Sequence, residues 1–256
     1  MTMPYIPSGG LLTRLNRQSA RFFGRRPINA QTDHAIVTFT FDDFPKTAAR
    51  VGAQTLERRG WRGTYYASAR YAGGETHHGA MFDMGDLQRL QTQGHEIGCH
   101  TYGHVDCARA SLEEVIADVE RNARALTAMG LDQPLENFAF PYGEASPAIK
   151  TALQGRFASL RGVRAEINRA GTDLNLLRSV PLDGGETGIR RAIEATETLS
   201  NHPGWLIFYA HDIQEQPTEW GCTPAQFEAV CAAVEASGAR VLPMRGALRA
   251  LEGQEC

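Results

Sequence analysis

Three observations predict an α/β domain built on a parallel sheet with helices packed outside it. Short β-forming runs at 35–41, 63–67 and 137–140 alternate with stretches of helical character. The run 205–210 is apolar throughout, as a strand buried on both faces requires. Two groups of potential ligands, Asp42-Asp43 and His100 with His104, each follow a β-run, at the end of a parallel sheet where sites are built. Periodicity alone leaves open whether about seven such units close into a barrel or lie as a doubly wound sheet.

The elements are predicted in order as follows. A strand over 35–41 stops at Asp42-Asp43-Phe44-Pro45, and a helix over 46–59 is closed by Gly60. A strand at 63–67 and a helix over 84–93 come next, with Gly94 ending the helix. Ser111 with Glu114 reads as a capping box opening an amphipathic helix, whose stripe of Val115, Ile116, Val119, Ala123 and Leu126 runs down to Gly130. A strand over 137–140 ends at Pro141-Tyr142-Gly143 and is followed by a helix over 146–154. The segment 155–185 carries only weak strand signals, at 157–160 and 176–181. A helix over 188–200 leads to the strand at 205–210, and Thr223-Pro224-Ala225-Gln226 caps a helix ending near Gly238. The last strand is expected at 240–243 and a closing helix at 244–251.

Composition suits one soluble domain: 256 residues, 42% hydrophobic and 21% charged. A net charge of −3 argues against nucleic acid as a main partner, because phosphate binding needs a basic face. Residues 1–33 form a separate basic arm before a domain over 34–256. The arm carries Arg14, Arg17, Arg21, Arg25 and Arg26 and no acid before Asp33, with Leu11, Leu12, Leu15, Phe22 and Phe23 interspersed. It is expected to pack on its own domain or a neighbour, with contact to an anionic lipid or a phosphate-bearing carrier as the functional reading. No apolar run there is long enough for a signal-peptide core, no segment resembles a transmembrane span, and five irregularly spaced cysteines suit reduced thiols, so the expected location is the cytoplasm.

The chemistry centres on 94–104. His100 and His104 stand four apart, so two imidazoles are able to converge on one cation, and the glycines around them favour a turn. Either cluster alone has an ordinary explanation, a chance histidine pair or acids capping a helix. Together, after successive strands, two histidines and an acid make a metal-binding set with room for water. Cys99 adjoins a proposed ligand, but neighbours on a strand point to opposite faces, so its thiol is expected against the barrel wall.

Four stretches occur in order: Thr40-Phe41-Asp42-Asp43; His95-Glu96-Ile97-Gly98 leading into His100-Thr101 and His104; Phe138-Ala139-Phe140-Pro141-Tyr142-Gly143; and Leu206-Ile207-Phe208-Tyr209-Ala210-His211. They resemble four successive motifs of the polysaccharide deacetylase family, the NodB-homology enzymes or carbohydrate esterase family 4, in its Phe-Ala-Tyr-Pro-like branch. The resemblance runs from about residue 34 to about residue 251 and implies a distorted, incomplete (β/α) barrel of about seven parallel strands. It also implies a metal-dependent hydrolase that removes N-acetyl groups from an amino sugar. Asp43, His100 and His104 would hold one divalent cation, by ligand type Zn2+. Asp42 would be the general base, the backbone N–H of Tyr142 an oxyanion donor, and His211 the proton donor to the leaving nitrogen. Pro141 and Tyr142 would line the substrate, and Leu206 or Phe208 would wall the pocket for the acetyl methyl.

The sequence also departs from the pattern. Many relatives carry an arginine three residues before the Tyr142 position, where this chain has Ala139; Arg178 is expected to supply that charge to Asp42 from another strand. Phe44 replaces a usual glycine and is expected to narrow the groove, and no Asp-Trp motif occurs between Tyr142 and His211. The expected substrate is an N-acetylated sugar of a bacterial surface polysaccharide or its precursor, as in O-antigen or exopolysaccharide biosynthesis. A metal-poor amidohydrolase of the same fold acting on a small C–N substrate, and a catalytically silent glycan-binding protein, are the competing readings.

Overall fold

A computed structural model of the chain describes residues 18–28, 34–143 and 145–253. Strand β1 (Ile36–Asp42) leads through a π-helical turn (Ala48–Gly52) into α1 (Ala53–Glu57). Strand β2 (Thr64–Ala67) is followed by a small hairpin, β3 (Glu75–Thr76) and β4 (Gly79–Ala80), and by α2 (Met84–Thr92). Then come β5 (Glu96–Cys99), α3 (Leu112–Ala128), β6 (Asn137–Ala139), α4 (Pro147–Leu153), β7 (Ser159–Arg161) and β8 (Val180–Pro181). Helix α5 (Gly185–Asn201), β9 (Trp205–Ala210), α6 (Pro224–Ser237), β10 (Arg240–Val241) and α7 (Met244–Leu251) complete the order.

Seven parallel strands lie in the order β7-β6-β5-β2-β1-β9-β8. The short β10 pairs with β1 at Ile36 and Val37, below the stretch Thr40–Asp42 that β2 takes. The outer edges approach one another through an isolated bridge between Arg161 and Leu177 and a few backbone hydrogen bonds around it, such as Leu177 N to Leu160 O (2.8 Å) and Gly162 N to Leu177 O (2.9 Å). The barrel is therefore incomplete, as expected, and that weak closure lies in the segment 155–185 whose strand signals are faint.

Strand parity sorts the side chains into two environments. Val37, Phe39 and Phe41 of β1 and Leu206, Phe208 and Ala210 of β9 point outward and pack under helix residues such as Phe227, Val230 and Val234. Their partners Ile36, Trp205, Ile207, Tyr66, Ala139 and Leu177 form the interior cluster. Toward the opening of the barrel this inner row becomes polar, and that is where the site forms. At the other end Glu96, fully buried, accepts from Asn137 Nδ2 (2.6 Å), Thr64 Oγ1 (3.1 Å) and the Arg245 backbone N (2.8 Å). The network ties α7 across β2, β5 and β6 and answers the desolvation of a carboxylate that burial pushes up.

Helix starts follow their local chemistry. Thr223 and Gln226 complete a reciprocal capping box with Pro224 in the first turn, as expected. Ser111 makes only half of its expected box: its Oγ accepts from the Glu114 N–H. An additional box forms between Asp83 and Asp86.

Of the basic arm expected over 1–33, residues 1–17 and 29–33 lie outside the described residues; 18–28 lie on the domain. The ammonium of the buried Lys150 donates to Ala20 O (2.5 Å), Phe23 O (3.1 Å) and Asp173 Oδ2 (2.6 Å). Arg26 donates through its backbone N to Asp173 (2.8 Å) and through its guanidinium to Ala158 O (2.5 Å). Cys99, Cys107, Cys222 and Cys231 are free and buried, and Cys256 lies outside the described residues.

Candidate active site

Five described non-glycine residues hold a left-handed backbone: Asp43, Phe44, Thr101, His104 and Tyr142. A non-glycine residue there costs about 1 kcal/mol or more, so such conformations persist only where surroundings impose them. All five stand just past the C-terminal ends of β1, β5 and β6, on the loops that carry the proposed catalytic groups. In the loop after β5, the Asp118 carboxylate of α3 accepts from the backbone N–H groups of Tyr102 (2.7 Å) and Gly103 (2.8 Å). Thr101 Oγ1 accepts from Val105 N (2.9 Å). The loop is thereby bent so that His100 and His104 face the same space.

There Asp43 Oδ1 lies 3.9 Å from His100 Nε2 and 3.7 Å from His104 Nε2. Three properties fit this set to a divalent cation. Asp43 Oδ1 is buried with no hydrogen-bond partner. His100 Nδ1 donates to Ala139 O (2.8 Å), which leaves the Nε2 lone pair facing Asp43. Burial also pushes the two imidazoles down, His100 to about 4 and His104 to about 3, so both are neutral ligands at pH 7.

Asp42, the last residue of β1, points into the barrel. Both its oxygens are gripped by the fully buried guanidinium of Arg161, at 2.5 Å for Oδ2. Burial alone would raise this carboxyl, but Arg161 and the nearby His100 and His211 hold it below the ordinary carboxylate range. The arginine is itself sandwiched, 5.2 Å from the Tyr66 ring and 5.3 Å from the Tyr209 ring.

Arg161 corrects the expectation for Arg178. The Arg178 guanidinium turns away and pairs with Glu166 at 2.5 Å. The reason is register. Ala139 of β6 pairs with Arg161 of β7, so a side chain at 161 projects to the same side as one at 139, one strand over. Leu177 bridges Arg161 from the other side and also faces inward; Arg178, one residue on, has the opposite parity. The charge absent from Ala139 is supplied across the ladder. In the sequence, the polar–apolar–polar run Ser159-Leu160-Arg161 is the signal for it, with an arginine ending a short strand.

Parity also corrects Leu206 and Phe208. Both lie in the outer layer, Phe208 stacked at 5.4 Å on Phe39, so neither walls the groove. Ile207 and Tyr209 occupy the inward positions of β9. Phe44 likewise turns to the core, 3.9 Å from Phe82, and does not narrow the groove. Cys99 faces outward as expected, accepting from Asn122 Nδ2 (3.3 Å), its thiol pushed up to about 11 by burial.

The remaining residues converge. Tyr142 places its ring 4.4 Å from that of His104, and Pro141 is buried beside it. His211 extends the inward row of β9, with Nδ1 3.3 Å from Trp220 O. Burial and the adjacent His78 hold His211 down, while Asp42 and Asp43 oppose them. His78, in the turn between β3 and β4, is a site residue not identified from the sequence. Its only signal there is a His-His pair followed by glycine.

Residues 29–155, about half of the chain, match the family model of polysaccharide deacetylases. The chain belongs to that family. Chitin deacetylase 2 of Saccharomyces cerevisiae is 37% identical over a match covering 26% of this chain and 24% of that protein. The match thus spans about a quarter of that relative's length. Among solved structures, the chitin deacetylase of the fungal pathogen Colletotrichum lindemuthianum superposes with a TM-score of 0.62 at 19% identity, covering 88% of this chain and 92% of that one. A CE4 family pseudoenzyme from Bacillus anthracis superposes nearly as well, with a TM-score of 0.60 at 15% identity, covering 84% of this chain and 66% of that one. Likeness at this level establishes the fold, and the site must argue for the chemistry.

Proposed function

We propose that this polysaccharide deacetylase family member removes the acetyl group from an N-acetylated amino sugar of a bacterial surface polysaccharide or its precursor. The observation that carries the reading is the pairing of the Asp43-His100-His104 set with the Arg161-held Asp42 in one polar opening. A silent binding protein has no need of either, and a metal-poor amidohydrolase has no need of the first. A divalent cation at Asp43, His100 and His104, Zn2+ by ligand chemistry, would supply Lewis-acid charge beside the amide carbonyl. Asp42, ionised at neutral pH and fixed by Arg161, accepts a proton from the attacking water as the new C–O bond forms. The Tyr142 N–H donates to the oxyanion, on a loop whose left-handed backbone is already in place. His211 delivers a proton to the nitrogen as the C–N bond breaks, leaving acetate and a free amine.

A second feature favours a phosphate-linked precursor over a mature polymer. Beside Gly143 and Gly162, each next to a site residue, lies a cavity of about 270 Å³ lined by Arg21, Arg25, Arg164 and Arg178. Its lining acid, Asp173, pairs with Lys150, and Arg164 and Arg178 share Glu166 as an ion-pair partner, so the lining stays net positive. Phe22 and Phe23, 75% and 63% exposed, stand beside those arginines and suit contact with an anionic lipid surface. The four cysteines among the described residues are free, which accords with a reducing, cytoplasmic setting.

The test is acetate release from a panel of sugar nucleotides, lipid-linked sugars and oligosaccharides, run beside metal analysis of the purified protein. The reading expects near-stoichiometric zinc and turnover of a phosphate-linked N-acetyl sugar. Protein that takes up no zinc and releases no acetate from any of these sugars overturns it.

A further inference from the structure

A second set of ligand atoms meets the first at Asp43. One atom each from Asp43, His78 and His211 lie within 4.8 Å of one another, the same closeness found for Asp43, His100 and His104. We propose that the opening holds a second, weaker cation site formed by Asp43, His78 and His211, and that filling it blocks proton delivery by His211. This rests on the metal reading of the first triad, because Asp43 would serve both, one carboxylate bridging two cations as in two-metal sites.

The orientation of the histidines supports a site over a chance cluster. His78 is 3% exposed, and its Nδ1 lies 3.0 Å from Asp212 Oδ1 and 3.1 Å from Thr218 Oγ1. Asp212 is fully buried and accepts from Thr218 N (2.8 Å) and Gln214 Nε2 (2.9 Å), so it is a fixed acceptor that keeps the proton on His78 Nδ1. The nitrogen left free is Nε2. In His211, Nδ1 faces a carbonyl, which only accepts, and Nε2 is again the free nitrogen. The rings of His78 and His211 stack with centroids 4.8 Å apart and planes 10° from parallel. A ligating histidine anchored through its other nitrogen by a carboxylate or a carbonyl is the arrangement found around bound metals, and His100 on Ala139 O repeats it.

The two sites are unequal. Asp42 is committed to Arg161, so the negative charge open to both cations is the single carboxylate of Asp43. A cation on His100 and His104 therefore repels the second, which fills only at excess metal. A cation on His211 occupies the nitrogen that would carry the proton to the leaving amine, so excess zinc inhibits.

Equilibrium dialysis of the metal-stripped protein against Zn2+, with bound metal counted by mass spectrometry, tests this. Wild type should approach two equivalents in two steps. His78→Gln should stop at one, and His104→Ala should lose the tighter step. Acetate release should fall at excess zinc in wild type and not in His78→Gln. Co2+ spectra without a thiolate charge-transfer band would exclude the cysteines as ligands, and near-UV circular dichroism checks that each variant is folded. A wild-type plateau at one equivalent, or a second equivalent untouched by His78→Gln, overturns the second site and leaves the first standing. A plateau at zero overturns the metal reading itself.

Discussion

At the residue scale, the decisive interaction is the buried pair Asp42–Arg161. Removing one partner of such a pair leaves an uncompensated charge inside, which costs about 3–5 kcal/mol. Asp42→Asn should therefore lower unfolding stability by about that amount as well as reduce acetate release about a hundredfold or more. The two effects separate in the double variant Asp42→Asn, Arg161→Met: urea unfolding should regain most of the lost stability, and activity should stay lost. If the double variant regains activity, Asp42 acts through the fold and is no base. Arg161→Lys keeps the charge but loses the planar fork that grips both oxygens, so turnover should drop even where the protein remains folded. Unchanged turnover would mean that orientation of Asp42 does not depend on this guanidinium.

At the scale of elements, the site is held from behind by helix α3. Asp118 fixes the backbone of Tyr102 and Gly103, between His100 and His104, and so sets the separation of the two histidines. Second-layer groups of this kind commonly contribute tenfold to hundredfold in metal affinity. Asp118→Ala should weaken zinc binding by about that factor in calorimetry, and Asp118→Asn, which keeps one acceptor oxygen, by less. Equal affinity for wild type and Asp118→Ala would show that the loop needs no such anchor. The helix was legible from its apolar stripe; the function of Asp118 on its polar side was not, because a solvent-facing acid and a loop anchor look alike until the loop is in place.

At the scale of the molecule, burial of neutral histidines links stability to pH. His95 is pushed down to about 4, with Nδ1 accepting from Gly63 N and Nε2 3.0 Å from Glu57; His100 is also near 4 and His104 near 3. The ordinary value is about 6.5, so between about 6.5 and 4 the unfolded chain binds more protons than the folded one. Unfolding free energy must then rise with pH across that window and fall on acidification. For metal-free protein, the urea midpoint should decline steadily from pH 7 to pH 4.5, and His95→Gln should flatten part of the slope. A constant midpoint over that range would contradict neutral burial of these rings. A divalent cation held by His100 and His104 would stabilise further by mass action at pH 7 and should lose this effect as the imidazoles protonate.

The sequence by itself determined the alternation of strands and helices, the positions of most helix starts, and five residues that the structure brings to one opening: Asp42, Asp43, His100, His104 and His211. Those features are local, set by periodicity, capping and short motifs within one stretch of chain. Which arginine meets Asp42 was decided by the tertiary structure, because pairing of β6 with β7 places 161 beside 139 and a one-residue difference in parity sends Arg178 to Glu166. The same parity removed Leu206 and Phe208 from the groove, since a strand that is apolar on both faces carries no mark of which face is inner. His78 reached the site through a hairpin distant in sequence from His211, and only packing brings those rings together. Side-chain facing and long-range meeting depend on register, and register is a property of two strands that neither strand encodes alone.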